Sequence, residues 1–399
     1  MKVLHVQKTA GIGGSERHLL SLLPALAGEG IEVRMLIAAT GEANRFAAAL
    51  GARGVPPRAV RAGPHLNPAL VAAVVREVRA FRPDVVHTHL VHADVHGQLA
   101  LAAGSAVRVS SVHSTPAFYR REPFRTGARL AGRHAGAVIA ISEHVSRFVE
   151  EVRLVPPERL HVVHYGIDAA GWPLAEPERR RARERLGLRP GEVAVGIAAR
   201  LIPGKGHSLL LEALADARRA HPRLRLLVAG GGPLRGELER EAERRAPGAT
   251  AFVGFVEDVR AFMNACDVIA FPTQPALGEG FGLAALEAMA SGRPVVATEV
   301  ASLPEVVSGE TGFLVDPRSA DELAAALVTL AGDAELRRRL GARGHERART
   351  TFSLERMVER TIAVYRQALR TRAARGIRPR VAGLRTSRRV AKNQAAGGA

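Results

Sequence analysis

Two glutamates and two glycines stand close together in the second half of the chain. Glu279 and Glu287 are separated by seven residues, and Gly280 and Gly282 lie between them. The residues that follow, up to Ala290, are mostly good helix formers, so the glycines precede a helix start that favours an anion such as phosphate. A carboxylate only accepts hydrogen bonds, whereas sugar hydroxyls also donate them. The pattern predicts a site for a ligand with phosphate and hydroxyl groups; the alternative is a solvated glutamate pair beside a structural turn.

A second glycine turn carries two cations. The predicted strand Val193–Ala198 is followed by Arg200, Lys205 and Gly206, and a leucine-rich helix comes next. Two cations before a helix start suit a diphosphate, and ordinary surface charges are the alternative. The turn is not a Walker loop, because it lacks the G-x-x-x-x-G-K-[ST] spacing.

These turns need a scaffold that brings distant parts of the chain together. Strand and helix patterns alternate along both halves, which predicts an α/β fold with parallel sheets covered by helices. In such sheets ligands gather at the carboxyl ends of the strands. The predicted strands are Lys2–Gln7, Glu32–Ile37, Asp84–His87, Arg108–Val112, Ala137–Ile141 and His161–Val163 in the first half, and Val193–Ala198, Leu224–Ala229, Thr250–Val253, Cys266–Phe271, 295–297 and Gly312–Val315 in the second. The predicted helices include Ala43–Arg53, Pro68–Phe81, Ala93–Ala103, Ser319–Ala331, Ala334–Thr350 and Leu354–Thr371.

The first predicted strand leads into a third glycine turn, at Gly11, Gly13 and Gly14. Ser15 is predicted to cap the helix that follows. The dinucleotide-binding pattern G-x-G-x-x-G is incomplete because Glu16 occupies its last position, so a dinucleotide site is disfavoured.

Histidines mark two further strand ends. His87 and His89 lie at one of them, and His92 and His96 follow. No cysteine or carboxylate set completes a known metal-ligand spacing, so a metal site is disfavoured. His113 directly follows the next predicted strand, and a hydrogen-bonded buried histidine is the alternative to a site residue there.

The stretch from Glu279 onward resembles the donor site of glycosyltransferases of family 4, which use nucleotide sugars and have the GT-B fold. The resemblance rests on the E-x7-E pattern followed by EAMASGRPVVAT, and it extends over about residues 1–370. Residues 140–143 read AISE, as is common in the family. Residues 165–168 are similar to its N-G-I-D element, with Tyr165 in place of the usual asparagine.

The resemblance implies two Rossmann-like domains that face each other across a cleft. The acceptor-side domain would comprise residues 1–170 and a returning helix at about 354–371, and the donor domain residues 171–353. A stretch at 169–178 is the predicted linker. The tail 372–399 has no apolar period and is predicted to be disordered.

The resemblance also implies roles for individual residues. Glu279 would bind hydroxyls of the donor sugar, and Glu287 those of the ribose. Arg200 and Lys205 would stabilise the leaving diphosphate, and His113 would face the sugar and the acceptor. The donor-binding residues implied by position are Gly13, Gly14, Gly230, Val256, Phe281, Gly282, Leu283 and Glu287.

The reaction implied is transfer of a sugar from a nucleoside-diphosphate sugar to an acceptor hydroxyl. The anomeric configuration would be retained, and neither a metal nor another cofactor would be needed. The expected acceptor is a glycan or a lipid-linked molecule of the cell envelope. A small-metabolite glycosyltransferase and a sugar-nucleotide epimerase are alternatives on the same fold; a phosphorylase would need a pyridoxal-bearing lysine motif, which is absent from the sequence.

Length and composition limit the possible domain number and cellular compartment of the protein. At 399 residues, with 47% apolar and 4% aromatic residues, the chain is long enough for two cores built mostly of alanine, valine and leucine. Cys266 is the single cysteine, which excludes a disulfide framework and favours the cytoplasm. The start MKVLHVQ is typical of a strand rather than a signal peptide, and no uncharged apolar run is long enough to span a membrane.

Positive charge is concentrated at the end of the chain. The formal net charge is +18, from 57 basic and 39 acidic residues. Residues 366–399 hold nine arginines, one lysine and no acidic residue, so they contribute +10 and leave +8 for the rest. The segment 114–134 interleaves arginines with Phe118, Tyr119 and Phe124, which suits a membrane interface, an anionic acceptor or an ordinary solvated helix. The distribution favours an anionic membrane surface as a partner.

A basic nucleic-acid-binding protein is the alternative from a different class. The sequence contains no aromatic RNA-binding pattern, helix-turn-helix or zinc finger. Most of the excess charge lies in the tail, so no nucleic-acid partner is predicted.

Overall fold

A computed structural model of the protein describes residues 1–9, 11–39, 43–61, 68–90, 93–94, 106–122, 124–152 and 154–374. Most of the predicted helix Ala93–Ala103, the histidines His92 and His96, and the tail beyond Ala374 lie outside these residues.

The first half forms a parallel sheet of seven strands in the order β3-β2-β1-β4-β5-β6-β7. Short, fully buried strands such as Ala137–Ala140 lie between helices on both faces, which explains their continuous apolar runs. The strands are β1 Lys2–Thr9, β2 Glu32–Ala39, β3 Arg58–Arg61, β4 Val85–His89, β5 Val107–Val112, β6 Ala137–Ala140 and β7 Leu160–Val162, and the helices are α1 Gly14–Gly28, α2 Ala43–Gly51, α3 Pro68–Phe81, α4 Phe124–Arg133 and α5 Glu143–Glu151.

The second half forms a parallel sheet of six strands in the order β10-β9-β8-β11-β12-β13. The two sheets confirm the predicted α/β fold with two Rossmann-like domains. The strands are β8 Val193–Ala198, β9 Leu224–Ala229, β10 Thr250–Gly254, β11 Val268–Phe271, β12 Val295–Thr298 and β13 Gly312–Val315, and the helices are α6 Glu176–Arg185, α7 His207–Ala220, α8 Arg235–Arg245, α9 Val259–Ala265, α10 Leu283–Ala290, α11 Leu303–Val306, α12 Ala320–Gly332, α13 Ala334–Thr350 and α14 Leu354–Ala374.

The start of α1 differs from the prediction. The helix begins at Gly14, and Gly13 rather than Ser15 precedes its first turn. The carboxylate of Glu16 accepts the backbone N–H of Gly13 at 3.0 Å, so a side chain inside the helix does the capping. Ser15 donates to the same carboxylate at 3.0 Å. The glutamate that breaks the dinucleotide pattern therefore shapes the glycine turn.

Two boundaries in the second half also differ. Cys266 directly follows α9, so the strand predicted as Cys266–Phe271 begins at Val268. Helix α6 begins at Glu176, inside the stretch predicted as linker, and its arginines bind Asp267, with Nη2 of Arg179 at 2.6 Å from Oδ1. Helix α6 is therefore attached to the second domain.

The last helix returns to the first sheet, as predicted. Met357 and Tyr365 on α14 lie in the same buried cluster as Leu19 on α1. The backbone N–H of Ile167 donates to the carbonyl of Phe352 at 2.9 Å, just before that helix begins. The predicted domain limits at residues 170 and 353 fall near this crossing and stay a prediction. No helix in the described part of the chain is long and apolar enough to cross a lipid bilayer.

Candidate functional site

In both parallel sheets the strand order reverses at a central pair of neighbours, β1 and β4 in the first and β8 and β11 in the second. At such a switch point the loops after the two strands diverge and leave a crevice for a ligand. The loop after β1 is the glycine turn at 11–14, and the loops after β8 and β11 carry the predicted diphosphate and sugar groups. The topology therefore brings the three sequence motifs to the same region.

Lys205 and Glu279 meet on the second-domain side of this region. Nζ of Lys205 lies 2.6 Å from Oε2 of Glu279, and the two side chains are only 15% and 17% exposed. Lys205 also lies 5.4 Å from the centre of the Phe271 ring. Next to it, Gly206 has φ of 74° and packs so closely on Pro272 that a Cβ would lie 1.7 Å from the proline carbonyl oxygen. This contact holds the turn after β8 against the loop after β11.

Glu287 is buried on α10 and bonded to the first domain. Its Oε1 accepts a hydrogen bond from Nη1 of Arg17 at 2.9 Å. Burial raises the pKa of Glu287, and the charge and hydrogen bond of Arg17 oppose that shift. Arg17 lies in α1 just after the glycine turn, so the pair joins that turn to the candidate donor site.

The loop before α10 touches the first domain through its backbone. The carbonyl of Gly280 accepts a hydrogen bond from Oγ of Ser142 at 2.8 Å. A Cβ at Gly280 would lie 2.2 Å from the carbonyl oxygen of His113. The sequence predicted that glycine here admits a ligand; in the structure the close neighbour is the backbone of His113. The two domains therefore make direct contact at the candidate site.

His113 follows β5, and both of its ring nitrogens are engaged. Nδ1 lies 2.5 Å from the hydroxyl of Tyr165, and Nε2 lies 3.1 Å from Nδ1 of His89. Burial lowers the pKa of His113 to about 3, so the ring is neutral at about pH 7. Its side chain contacts an acceptor only if one of these bonds is exchanged, and the predicted acceptor-side role stays a prediction.

Three buried histidines, His5, His87 and His89, bring ring nitrogens within 4.8 Å of one another. His87 bonds the hydroxyls of Tyr365 and Ser111 at 2.6 and 2.7 Å, and His89 is bonded at both nitrogens. Among the residues that the structure describes, only Nε2 of His5 in this trio lacks a partner. A metal ion would have to displace these partners, so the cluster fits a hydrogen-bonded network better than a metal centre.

Both halves of the chain match known protein families. Residues 12–170 match the model described as Glycosyltransferase Family 4, and residues 192–333 match that of Glycosyl transferases group 1. The D-inositol 3-phosphate glycosyltransferase of Mycobacterium marinum is 30% identical, over 90% of this chain and 82% of the relative. This chain belongs to glycosyltransferase family 4.

Other relatives of this glycosyltransferase agree in length and fold. The D-inositol 3-phosphate glycosyltransferase of Jonesia denitrificans is also 30% identical, over 92% of this chain and 94% of its own. The structure of Anabaena HepE in complex with UDP and glucose superposes with a TM-score of 0.80 at 24% identity, covering 91% and 98% of the two chains. Sucrose-phosphate synthase of Thermosynechococcus elongatus gives 0.75 at 23% identity, covering 93% and 100%. These likenesses confirm the predicted GT-B fold.

Two residues at the candidate site were missed by the sequence analysis. Tyr165 is buried against His18, with ring centres 4.2 Å apart, and lies 5.3 Å from the ring of Phe281. Its departure from the N-G-I-D pattern was the available signal. For Arg17 the only sequence signal was its position after the glycine turn, because no local sequence pattern indicates a partner as distant as Glu287.

The remaining predicted residues surround the same loops. Arg200 is exposed and forms no ion pair with any residue that the structure describes. Gly230 has φ of 133° and packs on the carbonyl of Ala199, where a Cβ would lie 2.0 Å away. The others are Gly13 and Gly14, which are exposed at the start of α1, Val256 and Leu283, which are half-buried, and Phe281 and Gly282, which are buried.

Proposed function

We propose that this glycosyltransferase moves a sugar from a nucleoside-diphosphate sugar to an acceptor hydroxyl, with retention and with neither a metal nor another cofactor. One observation carries the proposal: Glu279, paired with Lys205, and Glu287 flank the loop that starts α10, where the two domains meet. That arrangement offers a cation for a diphosphate and two carboxylates for hydroxyl groups. The similarity to HepE, whose structures contain UDP or UDP-glucose, supports a donor of this class.

Each group has a distinct role in the proposed reaction. The bond between sugar and diphosphate breaks, a bond to the acceptor oxygen forms, and the acceptor proton leaves with the diphosphate. Lys205 and Arg200 stabilise the charge that grows on the diphosphate, as a metal ion does in other enzymes. Glu279 and Glu287 bind hydroxyls of the sugar and ribose; they are not an acid and nucleophile pair as in a glycoside hydrolase.

For the acceptor we propose a lipid-linked or envelope glycan, reached by reversible docking on the cytoplasmic face of the membrane. The basic helix α4 supports docking, because Leu130 is 54% exposed between arginines. A small anionic polyol is the second candidate, supported by the relatives named for D-inositol 3-phosphate. Incubation with radiolabelled donor and either extracted membranes or inositol phosphate separates the two acceptor classes.

A thermal-shift screen tests the donor class. UDP-glucose, UDP-N-acetylglucosamine and GDP-mannose are added in the presence of EDTA, and a ligand that binds the folded chain raises its melting temperature. We expect at least one to do so and to support transfer with EDTA present. Failure of all three would contradict the donor class, and a requirement for Mg²⁺ or Mn²⁺ would contradict the metal-free mechanism. The anomeric configuration of the product, read by NMR, tests retention.

A further inference from the structure

A row of hydrogen bonds runs from the domain contact into the first sheet. The hydroxyl of Tyr165 lies 2.5 Å from Nδ1 of His113, Nε2 of His113 lies 3.1 Å from Nδ1 of His89, and Nε2 of His89 lies 2.9 Å from Nδ1 of His5. All four rings are buried. We refer to these four residues as the histidine chain.

The hydrogen bonds of the histidine chain can run, from donor to acceptor, in only two directions. Burial lowers the pKa of His5 and of His113 to about 3, and that of His89 well below its ordinary value, so the three imidazoles are neutral at about pH 7. A neutral imidazole carries one N–H and one acceptor nitrogen. Each ring that accepts from one neighbour must therefore donate to the other, and all three rings point either inward to His5 or outward to Tyr165.

The inner end decides between these directions. Nε2 of His5 is buried and has no hydrogen-bond partner among the described residues. With the chain pointing inward, the donor without an acceptor is the buried N–H on this nitrogen; pointing outward, it is the hydroxyl of Tyr165 at the domain contact. Buried donors are nearly always paired, and a ligand between the domains can offer an acceptor to Tyr165 but not to His5, which is fully buried in the first sheet. With a ligand bound the outward direction is therefore favoured, with His5 donating to His89, His89 to His113 and His113 to the oxygen of Tyr165.

In that direction the hydroxyl proton of Tyr165 is not used by the histidine chain. Within the described stretches of the protein, no other hydrogen bond of this hydroxyl is found. Burial raises the pKa of Tyr165 well above its ordinary value, and the charges of Glu16 and Glu279 raise it further, so the proton is retained at about pH 7. The tyrosine ring lies 5.3 Å from the ring of Phe281, in the loop that also carries Glu279, which places Tyr165 beside a group proposed to bind the donor.

We propose that Tyr165 is a ligand-binding residue whose O–H, aimed by the histidine chain, donates a hydrogen bond to an oxygen of the donor sugar. A sugar hydroxyl that donates to Glu279 still has lone pairs to accept from Tyr165, so the two residues bind the same group from both sides. His5 and His89 are positioning residues that act through His113. This inference rests on the proposed nucleotide-sugar donor.

Binding experiments with Tyr165→Phe test the sugar contact. The probes are whichever of UDP-glucose, UDP-N-acetylglucosamine and GDP-mannose binds the wild type most tightly, and its parent diphosphate, UDP or GDP. We expect affinity for the sugar nucleotide to fall about tenfold, the effect of one lost hydrogen bond, and affinity for the diphosphate to change less than about twofold. An unchanged ratio of the two affinities, or equal losses for both, overturns the proposal.

Tyr365→Phe is the matched control. It removes a buried hydroxyl that is bonded to Nδ1 of His87 at 2.6 Å, outside the histidine chain. The variant should leave the ratio of sugar nucleotide to diphosphate affinity at the wild-type value. A similar drop in that ratio would mean that loss of any buried hydroxyl in this core disturbs the site, which contradicts a specific role for Tyr165.

The direction of the hydrogen bonds in the histidine chain can be measured on the wild-type protein, without any variant. Two-bond ¹H–¹⁵N correlation spectra of the ¹⁵N-histidine-labelled wild type distinguish the two neutral tautomers of His113. With the tightest-binding sugar nucleotide bound we expect the proton on Nδ1 and none on Nε2; the reverse overturns the outward direction. Absence of binding by all three sugar nucleotides would refute the proposed function and with it the sugar contact. Binding together with a proton on Nε2 of His113, or with an unchanged affinity ratio in Tyr165→Phe, would refute the sugar contact alone.

Discussion

Lys205 and Glu279 neutralise each other in the structure, although the proposed reaction gives them different parts of the donor. Their atoms are 2.6 Å apart, and both side chains are mostly buried. A diphosphate that attracts Lys205 would release the oxygens of Glu279 for sugar hydroxyls. In the proposed reaction the pair would therefore couple binding of the leaving group to binding of the sugar.

Lys205→Ala is expected to lower turnover at saturating donor by about 10²–10³-fold, because the charge that Lys205 meets grows in the transition state. Arg200→Ala should act in the same direction. Steady-state kinetics with the best sugar nucleotide measures this. Lys2→Ala is the control, since it removes an exposed pair with Glu32 at 3.1 Å. A change confined to the donor KM would make Lys205 a ground-state binding group instead.

Glu287→Ala is expected to weaken binding of UDP, or of GDP if that is the base, by about 2–3 kcal/mol, the loss typical of a charged hydrogen-bond partner. Isothermal titration calorimetry on the folded variant checks this. The ribose is proposed to bind the carboxylate that Arg17 holds in the structure, so the two compete for it.

Arg17→Gln separates the carboxylate from the ion pair. It leaves Glu287 in place and removes its competing partner, so diphosphate affinity should stay the same or increase. If Arg17→Gln weakened the diphosphate as much as Glu287→Ala does, the interdomain pair rather than a ribose contact would explain both losses.

Acid should destabilise the protein through its buried histidines. The pKa of His5 and of His113 is lowered by burial from 6.5 to about 3. Between these pH values the unfolded chain binds protons that the folded chain does not. The contribution of the two neutral histidines to the free energy of unfolding is therefore complete above pH 6.5 and is lost as the pH falls toward 3. Each site adds a slope of about 1.4 kcal/mol per pH unit. Urea unfolding at several pH values measures the slope, which should be smaller in His5→Gln; equal slopes would contradict this account.

At the scale of secondary-structure elements, the loop before α10 and helix α11 lie in close contact with the first domain. Its Gly280 carbonyl is bonded to Ser142, and α11 supplies Glu305, whose carboxylate accepts the backbone N–H groups of Glu143 and His144 at 2.7 and 2.6 Å. This carboxylate caps the start of α5 from across the cleft. Loop and helix termini, rather than sheet faces, therefore set the distance between the domains here.

Gly280→Ala is expected to destabilise the protein by about 1–3 kcal/mol and to lower activity, because the new Cβ meets the carbonyl of His113. Thermal unfolding and turnover are the measurements. Gly231→Ala is the matched control, since a Cβ there meets nothing within 4 Å. Full stability and activity in Gly280→Ala would mean that the domains separate easily at this loop.

At the scale of the whole molecule, positive charge and exposed apolar side chains determine which kind of surface the protein would bind. Residues 366–399 carry +10 and begin within helix α14, which packs on the first domain, the domain that also carries α4. Each basic residue near an anionic membrane contributes roughly 1 kcal/mol, and salt screens that attraction. Both basic segments are thus attached to the proposed acceptor side.

The full-length protein is expected to co-sediment with phosphatidylglycerol vesicles at low salt and to be released at high salt. A chain ending at residue 374 should bind more weakly while retaining sugar-nucleotide binding. Leu130→Asp should weaken adsorption further by removing an exposed apolar contact on α4. Equal binding to neutral and anionic vesicles, or binding to neither, would remove the membrane proposal and leave glycosyl transfer unaffected.

The sequence by itself determined the α/β fold and the three glycine turns. Apolar strand runs and helix starts are local properties, because they depend on neighbours in the chain. The capping of α1 was predicted wrongly, since Ser15 and Glu16 are both plausible caps and the glutamate reaches the N–H of Gly13.

Only the tertiary structure decided which groups meet. Lys205 and Glu279 are 74 residues apart, and Arg17 and Glu287 are 270 apart. Such pairs have no local pattern, because they depend on how two sheets place the ends of their central strands against each other. The same holds for Tyr165: its sequence signal was a departure from a motif, and its partners His18, His113 and Phe281 come from α1, the end of β5 and the loop before α10.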